Sequence, residues 1–213
     1  MSQGRYIVIE GHDGTGKSTQ VALLREYLMQ RGIESIEFHE PEGTPIASEI
    51  RTIIKNGTLE RSATTNLLLF TAARHEIWHN KAKTALANGT WVISARNYYS
   101  TLAYQGYGEG VDIDLITTTT KTFTDEHYIH PDLAVILSLE SNEERMKRIG
   151  NRGVLENPDT FESRDDDFQV RVRDGYLGIA KEYNLPVISA VQSPEDVLAA
   201  IVAEIDRQSL LAS

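Results

Sequence analysis

The chain has 213 residues, of which 40% are hydrophobic, and it carries a formal net charge of −10 and no cysteine. This length and hydrophobic content suffice for one sizeable core, so we expect a single domain over residues 1–213. The lack of cysteine excludes disulfides, thiolate metal sites and thiol catalysis. The negative charge argues against nucleic-acid binding, which needs a basic surface to displace counterions.

No apolar run in the sequence is long enough to span a bilayer, and the first residues lack the apolar stretch of a signal peptide. We therefore expect no membrane partner and a cytoplasmic location. Because the overall charge repels anions, any phosphate ligand has to bind in a local basic pocket.

Short apolar runs alternate with longer amphipathic ones along the chain. This pattern is typical of strand–helix units arranged around a parallel sheet with helices on both faces. The sequence predicts five strands, at residues 6–10, 35–39, 91–95, 133–139 and 186–190. We therefore expect a three-layer α/β fold.

Three helices have clear boundaries in the sequence. The first is predicted from a glycine-rich turn to about residue 30, with Gly32 as its stop signal. The second is predicted at residues 66–88, before Gly89. The last begins at Ser193, a good N-cap residue that is followed by Pro194 in the first turn.

The segment 11–18 reads Gly-His-Asp-Gly-Thr-Gly-Lys-Ser and fits the phosphate-binding P-loop pattern GxxxxGK[ST] between a strand and a helix. In such a loop, backbone N–H groups surround the phosphates, Lys17 reaches the outer phosphates and the Ser18 hydroxyl ligates Mg²⁺. A chance glycine turn is the alternative. The predicted ATP-binding residues are Gly11, His12, Asp13, Gly14, Thr15, Gly16, Lys17, Ser18 and Thr19.

A P-loop by itself leaves ATPases, GTPases and kinases open. The chain lacks an Asn-Lys-x-Asp sequence, which reads guanine in GTPases, and it is short for a motor protein. Arginines follow several predicted strands, as expected where two polyanionic substrates are brought together. The sequence therefore favours a nucleotide kinase with a P-loop fold.

Four further segments agree in order and spacing with one kinase family. They begin at Tyr6 (Tyr-Ile-Val-Ile-Glu-Gly), Glu40 (Glu-Pro-Glu-Gly-Thr), Ala85 (Ala-Leu-Ala-Asn-Gly-Thr-Trp-Val-Ile) and Ser100 (Ser-Thr-Leu-Ala-Tyr-Gln-Gly). Through these segments the chain resembles the bacterial-type thymidylate kinase family, from Tyr6 to about Ala203. The resemblance implies ATP- and Mg²⁺-dependent phosphorylation of dTMP, a mobile lid at about residues 145–165, and a homodimer.

The same resemblance assigns residues to the acceptor nucleotide. Phe70 and Arg74 share a helical face and would stack on thymine and read its edge, with core packing plus a surface arginine as the alternative. Tyr104 would crowd the sugar 2′-position. The remaining assignments are Thr101 and Gln105 to the base pocket, Ser100 and Glu40 to the acceptor site, and Arg51 and Arg96 to the acceptor phosphate.

Arg51 and Arg96 could instead form surface ion pairs, because acidic residues are plentiful. In the lid, the resemblance makes Arg152 the candidate catalytic cation, beside Lys17 and Arg96, and lets Arg148 stack on adenine. A solvated basic helix facing nearby acidic residues is the alternative for both lid arginines.

The third strand departs from the family pattern, which ends Asp-Arg-Tyr or Asp-Arg-His, because this chain has Ala95 before Arg96. Alanine cannot hold a magnesium-bound water, so Ser18 would have to carry more of the metal shell, helped by Asp13 or Glu40. We therefore expect low intrinsic activity. A kinase for another deoxynucleotide or a deoxynucleoside, and a catalytically silent nucleotide-binding module, remain alternatives.

Overall fold

A computed structural model of the chain describes residues 4–139, 141–150, 161 and 164–211. Five strands form one parallel sheet in the order β2-β3-β1-β4-β5. All five predicted strands are confirmed, with ends that differ by at most one residue. The strands are β1 (Tyr6–Gly11), β2 (Ser35–His39), β3 (Trp91–Ala95), β4 (Leu133–Ser138) and β5 (Val187–Ser189).

Helices cover both faces of the sheet, which confirms the three-layer α/β fold. They are α1 (Lys17–Met29), α2 (Pro45–Lys55), α3 (Ala63–Ile77), α4 (Lys83–Ala87), α5 (Tyr98–Thr101), α6 (Ile113–Phe123), α7 (Glu126–Ile129), α8 (Asn142–Gly150), α9 (Asp166–Glu182) and α10 (Pro194–Arg207), with π-helical segments at Trp78–Ala82 and Leu102–Gly108. No described helix is both long enough and apolar enough to cross a membrane.

The core lies in two layers because successive side chains of β1 point to opposite faces of the sheet. Ile7 and Ile9 pack with α1 and α10, whereas Tyr6 and Val8 pack with α3, α5 and α9. All four side chains are buried. A strand buried on both faces reads as a continuous apolar run, which is why β1 is easy to recognise in the sequence.

The helix predictions hold with small changes at the ends. The helix predicted at 66–88 begins earlier, because Ser62 caps α3 by accepting a hydrogen bond from the backbone of Thr65. It then continues through the first π-helical segment into α4, and ends before Gly89, whose φ is +84°. Ser193 caps α10 as predicted, through the backbone N–H of Asp196.

The sheet order positions the candidate site. Helix α1 follows β1 and packs on one face, whereas α5 follows β3, the neighbouring strand, and packs on the other. Two adjacent parallel strands whose chains leave in opposite directions open a crevice at their carboxyl ends, which is where α/β proteins bind ligands.

Candidate active site

The glycine loop occupies the crevice, between β1 and α1. Gly11, Gly14 and Gly16 all have positive φ, at 137°, 87° and 88°. A Cβ atom on Gly11 would lie 2.3 Å from the carbonyl oxygen of Leu137, so glycine is required there. The Lys17 ammonium donates to the carbonyl oxygens of Gly11 (2.8 Å) and His12 (2.9 Å), which holds it against the loop.

One cavity opens on the α10 side of this loop. Arg148 of α8 lines it together with residues of the loop and of the β5–α10 connection. The Arg148 guanidinium donates to Glu144 Oε1 (2.9 Å) and to the carbonyl oxygen of Ala190 (2.9 Å). The alternative for Arg148 was a solvated basic helix that faces acidic residues, and Glu144 is such an acidic partner. Arg148 nevertheless also borders the cavity beside the glycine loop. The loop residues that line this cavity are Gly14, Thr15, Gly16 and Thr19.

A second cavity, of about 220 Å³, opens on the other side of the loop. It brings together all nine residues that the sequence assigned to the acceptor: Glu40, Arg51, Phe70, Arg74, Arg96, Ser100, Thr101, Tyr104 and Gln105. Asp13 of the glycine loop also lines it, so the two cavities are separated by the loop itself. Pro41, Ile54, Lys55 and Phe161 complete the lining and were not predicted.

Asp13 is the loop's link to the second cavity. Arg96 Nη2 donates to Asp13 Oδ1, and the Tyr104 hydroxyl donates to Oδ2 at 2.6 Å. Burial by itself would raise the pKa of Asp13, but the positive charges of Arg96 and Lys17, with the Tyr104 hydrogen bond, hold that pKa well below its usual range. Asp13 is therefore a carboxylate at neutral pH.

Arg96 has the backbone of a constrained residue, with φ at +75°. Besides Asp13, its guanidinium donates to Ser100 Oγ (2.9 Å) and to the Tyr176 hydroxyl (3.1 Å). Arg96 does form an ion pair, but its acidic partner, Asp13, lines the cavity, and the Arg96 side chain is only 19% exposed.

Arg74 is buried inside the protein, with its side chain 2% exposed, so the alternative of a surface arginine is wrong. It donates to Glu40 Oε2 (2.9 Å), Thr101 Oγ1 (2.7 Å) and the carbonyl oxygen of Asn97 (2.9 Å). Its guanidinium carbon lies 5.5 Å from the centre of the Phe70 ring, one helical turn away.

Glu40 is fixed by Arg74 and by the Tyr128 hydroxyl, which lies 2.8 Å from both carboxylate oxygens. Burial raises the pKa of Glu40 to about 7, against the lowering effect of Arg74 and Tyr128. These contacts commit Glu40 to holding Arg74 in place.

Arg51 lines the cavity from α2 and lies 3.4 Å from Glu42 Oε2. Arg51 therefore forms an ion pair, as the alternative required, and also lines the 220 Å³ cavity. Arg152 and most of the predicted lid lie outside the described residues. Phe161 is described, and its ring centre lies 6.1 Å from that of Phe70.

Few of the described protein groups near the glycine loop are placed to ligate a metal ion. Ser18 is exposed in the first turn of α1, beside the glycine loop. Within the described ranges, no group of three or more His, Cys, Asp or Glu side chains could hold a metal ion. The Ser18 hydroxyl, exposed beside the glycine loop, is the group that could supply a ligand to a nucleotide-bound metal ion there.

Sequence reasoning missed a buried carboxylate at the centre of the site. Glu10 accepts hydrogen bonds from the backbone N–H groups of Asn97 (2.8 Å) and Ser100 (3.0 Å) and from the Tyr176 hydroxyl (3.0 Å). It thereby ties β1 to the start of α5. A charged residue inside the apolar run of β1 was the available signal, whereas nothing local pointed to Tyr176, which is 166 residues away.

His12 was predicted to contact ATP, but its ring is buried between the loop and α9. Its Nε2 lies 2.7 Å from Gln169 Oε1. Because Gln169 Nε2 already donates to the carbonyl oxygen of Phe161 (2.8 Å), Gln169 Oε1 is an acceptor and His12 Nε2 carries the proton. Burial lowers the pKa of His12 to about 4, so the ring is neutral at pH 7.

Comparison with known proteins agrees with this geometry. The family model described as "Thymidylate kinase" matches residues 9–201. The thymidylate kinase of Chlorobaculum tepidum is 36% identical over 207 residues, which cover 94% of this chain and 96% of that one. The thymidylate kinase of Carboxydothermus hydrogenoformans is 35% identical over 195 residues, covering 92% and 93%.

A solved structure has the same fold. The crystal structure of thymidylate kinase from Ehrlichia chaffeensis superimposes with a TM-score of 0.76 at 28% sequence identity, covering 96% of this chain and 99% of that one. This chain belongs to the thymidylate kinase family.

Proposed function

We propose that this chain transfers the γ-phosphoryl group of ATP to dTMP, giving ADP and dTDP. One observation carries the proposal: two cavities lie on opposite sides of the glycine loop. A donor held on one side and an acceptor on the other would have their phosphates meet at the loop, which is the positioning that phosphoryl transfer requires.

The donor side is the cavity lined by Gly14, Gly16 and Arg148. Backbone N–H groups at the start of α1 favour the ATP phosphates, since the helix N-terminus carries partial positive charge. Lys17 would leave its loop carbonyls to stabilise the transferred charge, and Arg152 would add a second cation. Ser18 would hold Mg²⁺, which neutralises phosphate charge when bound.

The acceptor side is the 220 Å³ cavity. Phe70 offers a ring face for the base, and Arg74 offers donors to its edge. Arg51 and Arg96 would hold the acceptor phosphate, because an arginine fork matches phosphate oxygens in two-point contacts. Tyr104, held by Asp13, would stand beside the sugar and disfavour a 2′-hydroxyl group.

The acceptor phosphate is itself the nucleophile. Its second ionisation lies near neutral pH, so much of it is already a dianion and no strong general base is needed. This agrees with the site, where Asp13 and Glu40 are both occupied by hydrogen bonds from neighbouring side chains. Catalysis would then consist of positioning and charge stabilisation, without a covalent enzyme intermediate.

The decisive experiment is an ADP-release assay on the purified protein with ATP, Mg²⁺ and a panel of nucleosides and monophosphates. We expect the highest kcat/KM with dTMP. A preference for another monophosphate or for a nucleoside would favour the rival kinase activities. Binding of ATP and dTMP in calorimetry without any turnover would identify a silent nucleotide-binding module.

The family relationship also favours a homodimer, Mg²⁺ as the metal that accompanies ATP, and a cytoplasmic location. Sedimentation at equilibrium tests the first, because a dimer of this 23.8 kDa chain has twice its mass. Activity titrations with Mg²⁺ test the second.

A further inference from the structure

Glu109 is a carboxylate behind the acceptor cavity that none of the assigned roles uses. It follows the second π-helical segment, and its side chain is 7% exposed. Three side chains donate to it: Gln105 through Nε2 (3.1 Å), Asn66 through Nδ2 (3.4 Å) and Arg164 through Nη1 (3.3 Å). One of these donors, Gln105, lines the acceptor cavity.

The donor and acceptor groups of Glu109 and its neighbours determine the direction of the hydrogen bonds in this cluster. At one end stands Arg61, which has only donors. Its Nε donates to Asn66 Oδ1 (3.1 Å), while its other nitrogens donate to backbone carbonyls at the end of α2, including that of Ile54 (2.6 Å). Asn66 must then turn its amide nitrogen toward Glu109. A carboxylate only accepts hydrogen bonds, so each neighbour of Glu109 has to present a donor.

The hydrogen bonds around Glu109 determine the orientation of the Gln105 side-chain amide. A glutamine amide has a donor end and an acceptor end, and rotation by 180° exchanges them at almost no steric cost. Glu109 takes one N–H of the Gln105 amide, so Nε2 is held beside Glu109 and the opposite end of the amide, the end that can accept from a ligand, is Oε1. Without Glu109, either end could face the cavity.

Arg74, in contrast to the Gln105 oxygen, has only hydrogen-bond donors. Three of its five N–H groups are donated to Glu40, Thr101 and Asn97, and Nη1 and Nη2 each carry a second N–H. The cavity thus offers an acceptor at Gln105 and donors at Arg74. A pyrimidine with N3–H next to a 4-carbonyl, as in thymine or uracil, matches this pair. Cytosine, with an unprotonated N3 and a 4-amino group, has both reversed.

We propose that Glu109 is a positioning residue that locks the amide orientation of Gln105 and so selects acceptor nucleotides whose base carries N3–H over those with a cytosine-like edge. This rests on the proposed function, in that the 220 Å³ cavity is taken as the site of the acceptor base. Substitution of Glu109 acts on the choice of base without removing any group that touches the nucleotide.

The test compares Glu109→Gln with Glu109→Asp. Glutamine has nearly the shape of glutamate but can donate, so Gln105 becomes free to flip. Aspartate is shorter but still only accepts, so the orientation is kept. For each variant we would measure affinity for dTMP and dCMP by calorimetry, and kcat/KM for both in the ADP-release assay. Glu182→Gln, an exposed change at the end of α9, is the charge-matched control.

We expect Glu109→Gln to lower the dTMP:dCMP ratio by about ten-fold or more, the size of one lost hydrogen bond together with the loss of discrimination it gave. Glu109→Asp and Glu182→Gln should keep the ratio within about two-fold of the wild type. A general loss of packing would weaken binding of both nucleotides in Glu109→Asp as well, and would leave the ratio unchanged in all variants.

An unchanged ratio in Glu109→Gln overturns the role of Glu109, whether or not the wild type turns over. If Glu109→Gln does not fold, Glu109→Met, which has similar length and no polar atom, decides the question by the same ratio. Failure of the proposed function has a different signature, namely a wild-type protein that neither binds nor phosphorylates dTMP.

Discussion

Arg96, just past β3, donates to Asp13 of the glycine loop, so an ion pair joins this loop to the side chains around the 220 Å³ cavity. The backbone of Arg96 has a φ of +75°, a conformation that a non-glycine residue adopts only where its surroundings enforce it. The pair fixes the position of a group proposed to hold the acceptor phosphate, relative to the loop proposed to hold the donor.

Asp13→Asn should therefore impair the coupling of the two substrates. The amide removes the negative charge that holds Arg96 and leaves one acceptor oxygen for the two donors Arg96 and Tyr104. Misplacement of a reacting group by about 1 Å can cost about 100-fold in rate. We expect kcat/KM for dTMP to fall by about that factor, while affinity for ATP changes little. Asp114→Asn, an exposed change in α6, should retain wild-type kinetics, and equal kinetics in both variants would refute this reasoning.

Phe70→Ala should weaken binding of the acceptor. Stacking of a base on an aromatic ring contributes about 1–3 kcal/mol by alanine substitution, measured for single-stranded nucleic acids, so we expect the KM for dTMP to rise by about ten-fold or more. The KM for ATP should stay the same. Leu68→Ala lies on the exposed face of the same helix and serves as the control; a KM for dTMP that stays at the wild-type value in Phe70→Ala would place the base elsewhere.

Arg148→Ala should weaken binding of ATP. Its guanidinium borders the cavity on the α10 side of the glycine loop, and we expect the KM for ATP to rise by about five- to ten-fold, as for loss of one contact to a charged group. The KM for dTMP should be unaffected. Lys147→Ala removes a neighbouring exposed cation. A similar rise in both variants would mean that general charge, and not the placement of Arg148, sets ATP affinity.

His12 makes stability depend on pH. Its pKa is lowered to about 4 by burial, whereas the unfolded chain has about 6.5. The unfolded state therefore binds more protons between these values, and the contribution of His12 to stability is present above pH 6.5 and is lost as pH falls toward 4. Between pH 7 and pH 5 we expect it to lose about 2 kcal/mol.

The measurement is urea unfolding of the wild type and His12→Gln at several pH values. Glutamine does not titrate, and it keeps a donor for Gln169. Glu40 has a raised pKa, about 7, and acts in the opposite direction over the same range. Because Glu40 is present in both proteins, the difference between the two unfolding free energies isolates His12. A difference that does not vary with pH would contradict the neutral, buried ring.

Ala95→Asp should raise kcat or lower the Mg²⁺ concentration needed for activity. Ala95 is buried at the end of β3, in the apolar cluster between the sheet and α1. A carboxylate at this position would lie near the start of α1 and could bind a water of the magnesium shell. Ala95→Asn has a similar shape without the charge and is the control. Unchanged or poorer kinetics of Ala95→Asp across a Mg²⁺ titration would end this hypothesis.

The sequence determined the elements whose signals are local. The apolar run of β1, the glycine loop with Lys17 and the cap at Ser193 were each readable within a few residues, because strand burial, positive φ and capping depend on neighbouring positions. The resemblance added the acceptor residues, which the structure brings into one cavity.

Only the tertiary structure decided how the polar groups are paired. Glu10 with Tyr176, Glu40 with Tyr128, and Glu109 with Asn66 join elements far apart in sequence. A buried donor needs an acceptor and a buried acceptor needs a donor, and the chain offers many such partners at every separation along the sequence. Which partner lies within hydrogen-bonding distance depends on how helices cross the sheet. The orientation of Arg74 and the neutral state of His12 therefore follow from packing and not from the order of residues.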